Sequence, residues 1–144
     1  MALSEQVSNP NIDLTPAESF AGIMLATIAV DKHISSEERQ NLVVTLNRMK
    51  LFKDYPQEHI HNMVKDLLNI IKSQGTTKLL DSAIKNIPEY LYETIFIIAT
   101  DLTLSDGKLA NEELEVLSKL STDLAIAQDR VDTIIEIMMI KNKG

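Results

Sequence analysis

The sequence predicts an all-α fold: a single compact helical domain of about seven helices, two three-helix repeats joined by a connector helix. Three observations carry this. Apolar residues recur at three- and four-residue spacing along most of the chain, the pattern of helices with one buried face. Hydroxyl residues followed three positions later by glutamate mark helix starts. No segment alternates apolar and polar residues in the manner of a strand. At 144 residues the chain suits one domain and is long enough to bury a core without cross-links.

Residues 1–13 lack periodicity and are expected to form a flexible tail, leaving 14–144 as the folded domain. Thr15-Pro16-Ala17-Glu18 then combines a capping box with a proline at the first helical position, starting a helix that should run to about Val30. Phe20, Ile23, Met24 and Ile28 share a face of it, and Ala21, Gly22, Ala26 and Ala29 let a neighbour approach, so it should be central. Asp31 to Ile34 interrupts the pattern. Ser35 with Glu38 forms a second capping box, and Leu42, Val43, Leu46 and Met49 mark the buried face of helix two.

After a turn at Leu51 to Tyr55, Pro56 opens a third helix with a core face of Ile60, Met63, Val64, Leu67 and Ile71, and Gly75 suits its end. Leu79, Leu80, Ala83, Ile84 and Ile87 make the connector helix, at about 76–87. Pro88 ends it and begins the fifth, which should reach Thr103. That helix is apolar almost all round at Ile95 to Ala99, as expected of one surrounded by others. Beyond a loop at 104–110, Leu114, Leu117, Leu120 and Leu124 define the sixth helix. Val131, Ile134, Ile135, Met138 and Met139 define the last.

Sliding the sequence by 75 positions aligns Asp31 with Asp106, Glu37 with Glu112, Glu38 with Glu113 and Leu42 with Leu117. Glu18 with Glu93, Ile60 with Ile135 and Met63 with Met138 follow at the same offset. The repeats therefore cover about 15–73 and 88–142. Stacked helical units bury one another's apolar faces, so the two acidic loops are expected to come near each other.

Composition narrows function. The chain has no cysteine, which excludes disulfides, thiolate metal sites and cysteine nucleophiles and suggests a reducing compartment, the cytoplasm. The N-terminus has neither the basic region nor the apolar run of a secretory signal. No apolar stretch approaches the ~20 residues of a membrane span. With 21 acidic and 14 basic residues the net charge is -7, which repels phosphate backbones, and the few aromatics give no base-stacking platform. Nucleic acid is not an expected partner; proteins are.

The second loop contains Asp106-Gly107-Lys-Leu109-x-x-x-Glu113, the spacing of the latter half of an EF-hand loop. The first half of that motif is missing, since Leu102 and Leu104 stand where ligands belong. Asp101 lies near the end of helix five, where the helix dipole disfavours an anion by ~0.3–1 kcal/mol and a compensating cation is therefore expected. The first loop offers Asp31 and Glu38, with Lys32 in place of the glycine. Capping and turn formation account for the same residues without a ligand: Asp-Gly is a common turn pair, and acids suit first helical turns.

Other candidates are thin. His59 and His61 are two apart on a helix and face different sides, and His33 is a lone loop histidine left outside the site. Met138 and Met139 are expected in the core rather than on a soft metal. No Gly-rich phosphate loop, nucleophile elbow or His-Glu-x-x-His helix is present, so the chain is not expected to be an enzyme.

The run Ala29-Val-Asp31-x-x-Ile34-Ser35-x-x-Glu38, then Ala99 through Asp106-Gly107-x-Leu109-x-x-x-Glu113, and Leu117 to Ile126, resembles the tellurite-resistance TerB-like proteins. The resemblance extends from about Leu14 to Lys141. It implies a compact helical fold of duplicated halves and a non-catalytic role in a bacterial response to tellurite and other stress. It also implies a divalent-cation site, calcium or magnesium, at the acidic loops. By position it assigns Asp31 and Glu38 in the first half and Asp106, Gly107 and Glu113 in the second, with Asp101 added from the loop chemistry. The competing expectation is an acidic helical scaffold that recruits protein partners without metal.

Overall fold

A computed structural model of the chain describes residues 12–29, 34–104 and 111–143. Seven α-helices and no strand occur among them. In order they are α1 (Pro16–Ile28), α2 (Ser36–Asn47), α3 (Gln57–Gln74), α4 (Thr76–Ile84), α5 (Tyr92–Thr103), α6 (Asn111–Asp123) and α7 (Gln128–Lys141). Short 3-10 turns at Lys50–Phe52 and Glu89–Leu91 lead into α3 and α5. The ends of α1 and α5, Ile28 and Thr103, are 75 apart, as are the starts of α2 and α6, Ser36 and Asn111.

Both predicted capping boxes form. Thr15 Oγ1 accepts from Glu18 N at 3.1 Å while Glu18 Oε1 accepts from Thr15 N at 2.9 Å, and Ser35 and Glu38 repeat the arrangement at the same distances. Each box satisfies two backbone donors that a helix start leaves unpaired. The end of α1 comes at Ile28, with Ala29 as its cap, and the residues from Val30 to His33 lie outside the described set.

The core is centred on α1. Phe20, Ile23, Met24, Leu25 and Ala26 are buried whichever way they point, because α2, α4, α5, α6 and α3 all pack around this one helix. Small residues make that possible: a Cβ added at Gly22 would meet Leu79 Cδ1 of α4 at 3.4 Å. Emptying such a site is costly, at about 3–5 kcal/mol for Phe20→Ala. The fully apolar stretch of α5 is less enclosed, since Ile97 and Ile98 are only half-buried although Ile95, Phe96 and Ala99 are buried.

Gly75 ends α3 and begins α4 at φ +91°, and its N–H donates to Ile71 O at 2.8 Å. This φ is open to glycine at little cost, which explains the sharp junction. Pro88 does not start α5 directly. It is extended, the 3-10 turn uses its carbonyl as acceptor for Leu91 N at 3.0 Å, and α5 begins only at Tyr92.

The two halves differ in how the last helix is covered. In the first half α3 packs against α1, α2 and α4, whereas α7 rests mainly on α5. Two ion pairs hold α7 there in the same direction as α5. Arg130 near its start grips Glu93 through Nε–Oε2 at 2.8 Å and Nη2–Oε1 at 3.2 Å, and Lys141 at its end meets Asp101 at 3.1 Å. Glu93 holds the Arg130 guanidinium even more firmly charged than usual, first through the hydrogen bond and then through charge. Two expectations fail: Met139 of α7 and Leu114 of α6 are exposed, because periodicity identifies an apolar face but not whether a neighbour covers it.

Candidate functional site: an acidic cleft between the two units

The first turn of α2 and the first turn of α6 meet at one open cleft of about 590 Å³. Glu37, Glu38 and Asn41 enter from α2, Glu113 from α6, and Leu102 and Thr103 from the last turn of α5. The starts of α2 and α6, 75 residues apart in the sequence, thus share a wall. Among the described lining residues there are three carboxylates and no lysine or arginine.

Local chemistry explains each position. Glutamates in first helical turns are stabilised by the partial positive charge of the helix start. Glu38 also has a fixed role, since its Oε1 accepts from Ser35 N within the capping box. Asn41 follows Glu37 and Glu38 at helical spacing and so shares their side of α2. The Thr103 hydroxyl is buried and donates to Ala99 O at 2.8 Å, which leaves its oxygen lone pairs directed elsewhere. The carbonyl end of α5 brings the negative pole of its dipole to the same cleft, and that pole favours cations.

Asp101 is arranged differently. Its Oδ1 accepts from Lys141 Nζ at 3.1 Å and from Asn142 Nδ2 at 2.9 Å, and it is not among the lining residues of the cleft. The compensating cation expected beside this acid is therefore an ammonium group of the chain itself, supplied by α7. Asp31, Asp106 and Gly107 lie outside the described residues. Of the five sequence-assigned acids, Glu38 and Glu113 are brought to one cleft, and Asp101 is engaged by α7.

The donors on view are all oxygen or amide groups, the set that hard cations such as calcium and magnesium take. Among the described residues, no three histidine, aspartate or glutamate side chains stand close enough to hold a metal ion together. From the sequence, Glu37 is accounted for by its place in a first helical turn, and Asn41 and Thr103 are not among the candidates. The signal available for Asn41 was its spacing of four from Glu37 and three from Glu38.

His59 is exposed and meets the Tyr55 ring edge-on at 5.2 Å between centroids, His61 accepts from Arg39 through its backbone carbonyl, and His33 lies outside the described residues. Among the described residues, no helix is long and apolar enough to cross a membrane. No family model matches the sequence, and the comparisons with curated proteins and with solved structures give no match either.

Proposed function

We propose that this chain is a non-catalytic TerB-like protein of a bacterial tellurite or stress response, acting in the cytoplasm, whose acidic cleft takes a divalent cation. The observation that supports this is the meeting of Glu37, Glu38 and Glu113, from both repeats, in one cleft without a described basic residue. Asp31 and Asp106, which precede Glu38 and Glu113 at equal spacing in the sequence and lie outside the described residues, are the sequence's candidates for the further oxygens that calcium or magnesium needs. Asp101 is left out of this set because Lys141 and Asn142 occupy its carboxylate.

Calorimetric titration with calcium and with magnesium tests the reading. The wild-type chain should give binding heat that is lost in the Asp106→Asn, Glu113→Gln double variant. Absence of heat at millimolar metal overturns it.

A second reading has its own support. Since no three described acids reach metal-ligand spacing, the cleft also suits a lysine or arginine of a protein partner. The chain is then an acidic scaffold without metal. Its complexes would survive chelation and dissociate at high salt, whereas a cation-dependent complex would dissociate on chelation.

A further inference from the structure

The side of α7 turned away from the core is exposed at Asp132, Glu136, Met139 and Ile140, with the half-buried Ile135 at its edge against the core. Asp132, Ile135, Glu136, Met139 and Ile140 recur at the three-and-four spacing of one face of α7, and together with Lys143, just beyond its end, they line a groove of about 370 Å³. Met139 and Ile140 are 54% and 58% exposed. At the 75-residue offset Met139 corresponds to Val64, which is fully buried in α3, and Ile140 to Lys65, which is exposed. The second half thus carries apolar residues both where the first half is covered and where it is wet.

The stripe is symmetric about its own middle. A two-fold axis crossing α7 between Ile137 and Met138 exchanges Asp132 with Lys143, Ile135 with Ile140, and Glu136 with Met139. An antiparallel second copy therefore sets acid against base at both ends, the half-buried Ile135 against the exposed Ile140 inside them, and the Glu136 methylenes along Met139. Self-complementarity of this kind is what an isologous two-fold interface demands.

We propose that α7 pairs antiparallel with α7 of a second copy of this chain through this stripe. The net charge of -7 opposes association, but screening at physiological salt confines that repulsion to about 8 Å, and within that range the Asp132–Lys143 contacts are attractive. One helix from each copy is a small interface, so the dimer is weak and depends on concentration. The proposal is independent of the cation reading.

Sedimentation velocity of the full chain, from micromolar to millimolar concentration, tests it, with circular dichroism confirming that each variant folds. The wild type should pass from monomer to dimer. Ile140→Glu should raise the dissociation constant by more than about tenfold, while Ile137→Glu, an exposed site off the stripe, should leave it unchanged. Lys143→Asp should weaken the dimer, and adding Asp132→Lys to it should restore association.

A chain that stays monomeric throughout overturns the proposal, as does a dimer indifferent to Ile140→Glu. A monomer in which deletion of residues 1–11 newly exposes Ile140 to solvent also overturns it and makes the N-terminal segment the occupant.

Discussion

Lys141 Nζ lies 3.1 Å from Asp101 Oδ1, tying the end of α7 to the last turn of α5. The carboxylate sits where the dipole of α5 disfavours it, and the ammonium offsets that penalty. Asp101 is one-third exposed and Lys141 more than half, so solvent screens the pair. Asp101→Asn should lower stability by less than about 1 kcal/mol in urea denaturation. It should also leave calcium and magnesium binding unchanged; loss of binding in this variant would show that Asp101 is a ligand.

Ser19 is fully buried in α1, and its Oγ has no hydrogen-bond partner among the described residues. An unpaired buried hydroxyl costs about 1–3 kcal/mol. Ser19→Ala should therefore raise the urea midpoint at an unchanged denaturant slope. A lowered midpoint would mean that the hydroxyl is paired.

Two backbone positions respond in opposite directions. Ala125, just beyond α6, has φ +55°, a left-handed conformation that costs a residue with a Cβ about 1–2 kcal/mol. Ala125→Gly should stabilise by about 1 kcal/mol once glycine's larger unfolded-state entropy is subtracted. Gly75→Ala should destabilise by about 1–3 kcal/mol, because φ +91° with ψ 159° is essentially a glycine region. Thermal melts of the two variants should move in opposite senses.

Lys119 binds its proton more tightly in the folded chain than in the unfolded one. The hydrogen bond to Asp123 at 2.7 Å is the main cause, burial opposes it, and Asp81 at 3.2 Å adds to it. Since the folded value is raised above 10.5, the resulting stability is fully present below pH 10.5 and is lost as pH rises through the folded value. The side chain is 41% exposed, which keeps the effect below about 1 kcal/mol. The stability difference between wild type and Lys119→Met should be constant from pH 7 to 9 and shrink above pH 10.5.

What the sequence revealed, and what it concealed, follows from the range of the forces involved. The Thr15–Glu18 and Ser35–Glu38 boxes are local, and both form at the expected residues. Pro88 gave a misleading start for α5 because its extended conformation suits a preceding 3-10 turn as well as a first helical position. Met139 and Leu114 read as core for the same reason that Val64 does, namely apolar periodicity, but covering a face requires a neighbour that periodicity does not specify. That Glu38 and Glu113 line one cleft depends on how α2 and α6 pack around α1, and the capture of Asp101 by Lys141 depends on the direction in which α7 docks.

The cleft itself is tested most directly by following backbone amide resonances during a calcium titration of the full chain. Cation binding in the cleft should shift Glu37, Glu38, Asn41, Thr103 and Glu113 progressively and leave Lys141 and Asn142 in place. Shifts confined to Asp101, Lys141 and Asn142, or no shifts at millimolar calcium, would contradict it.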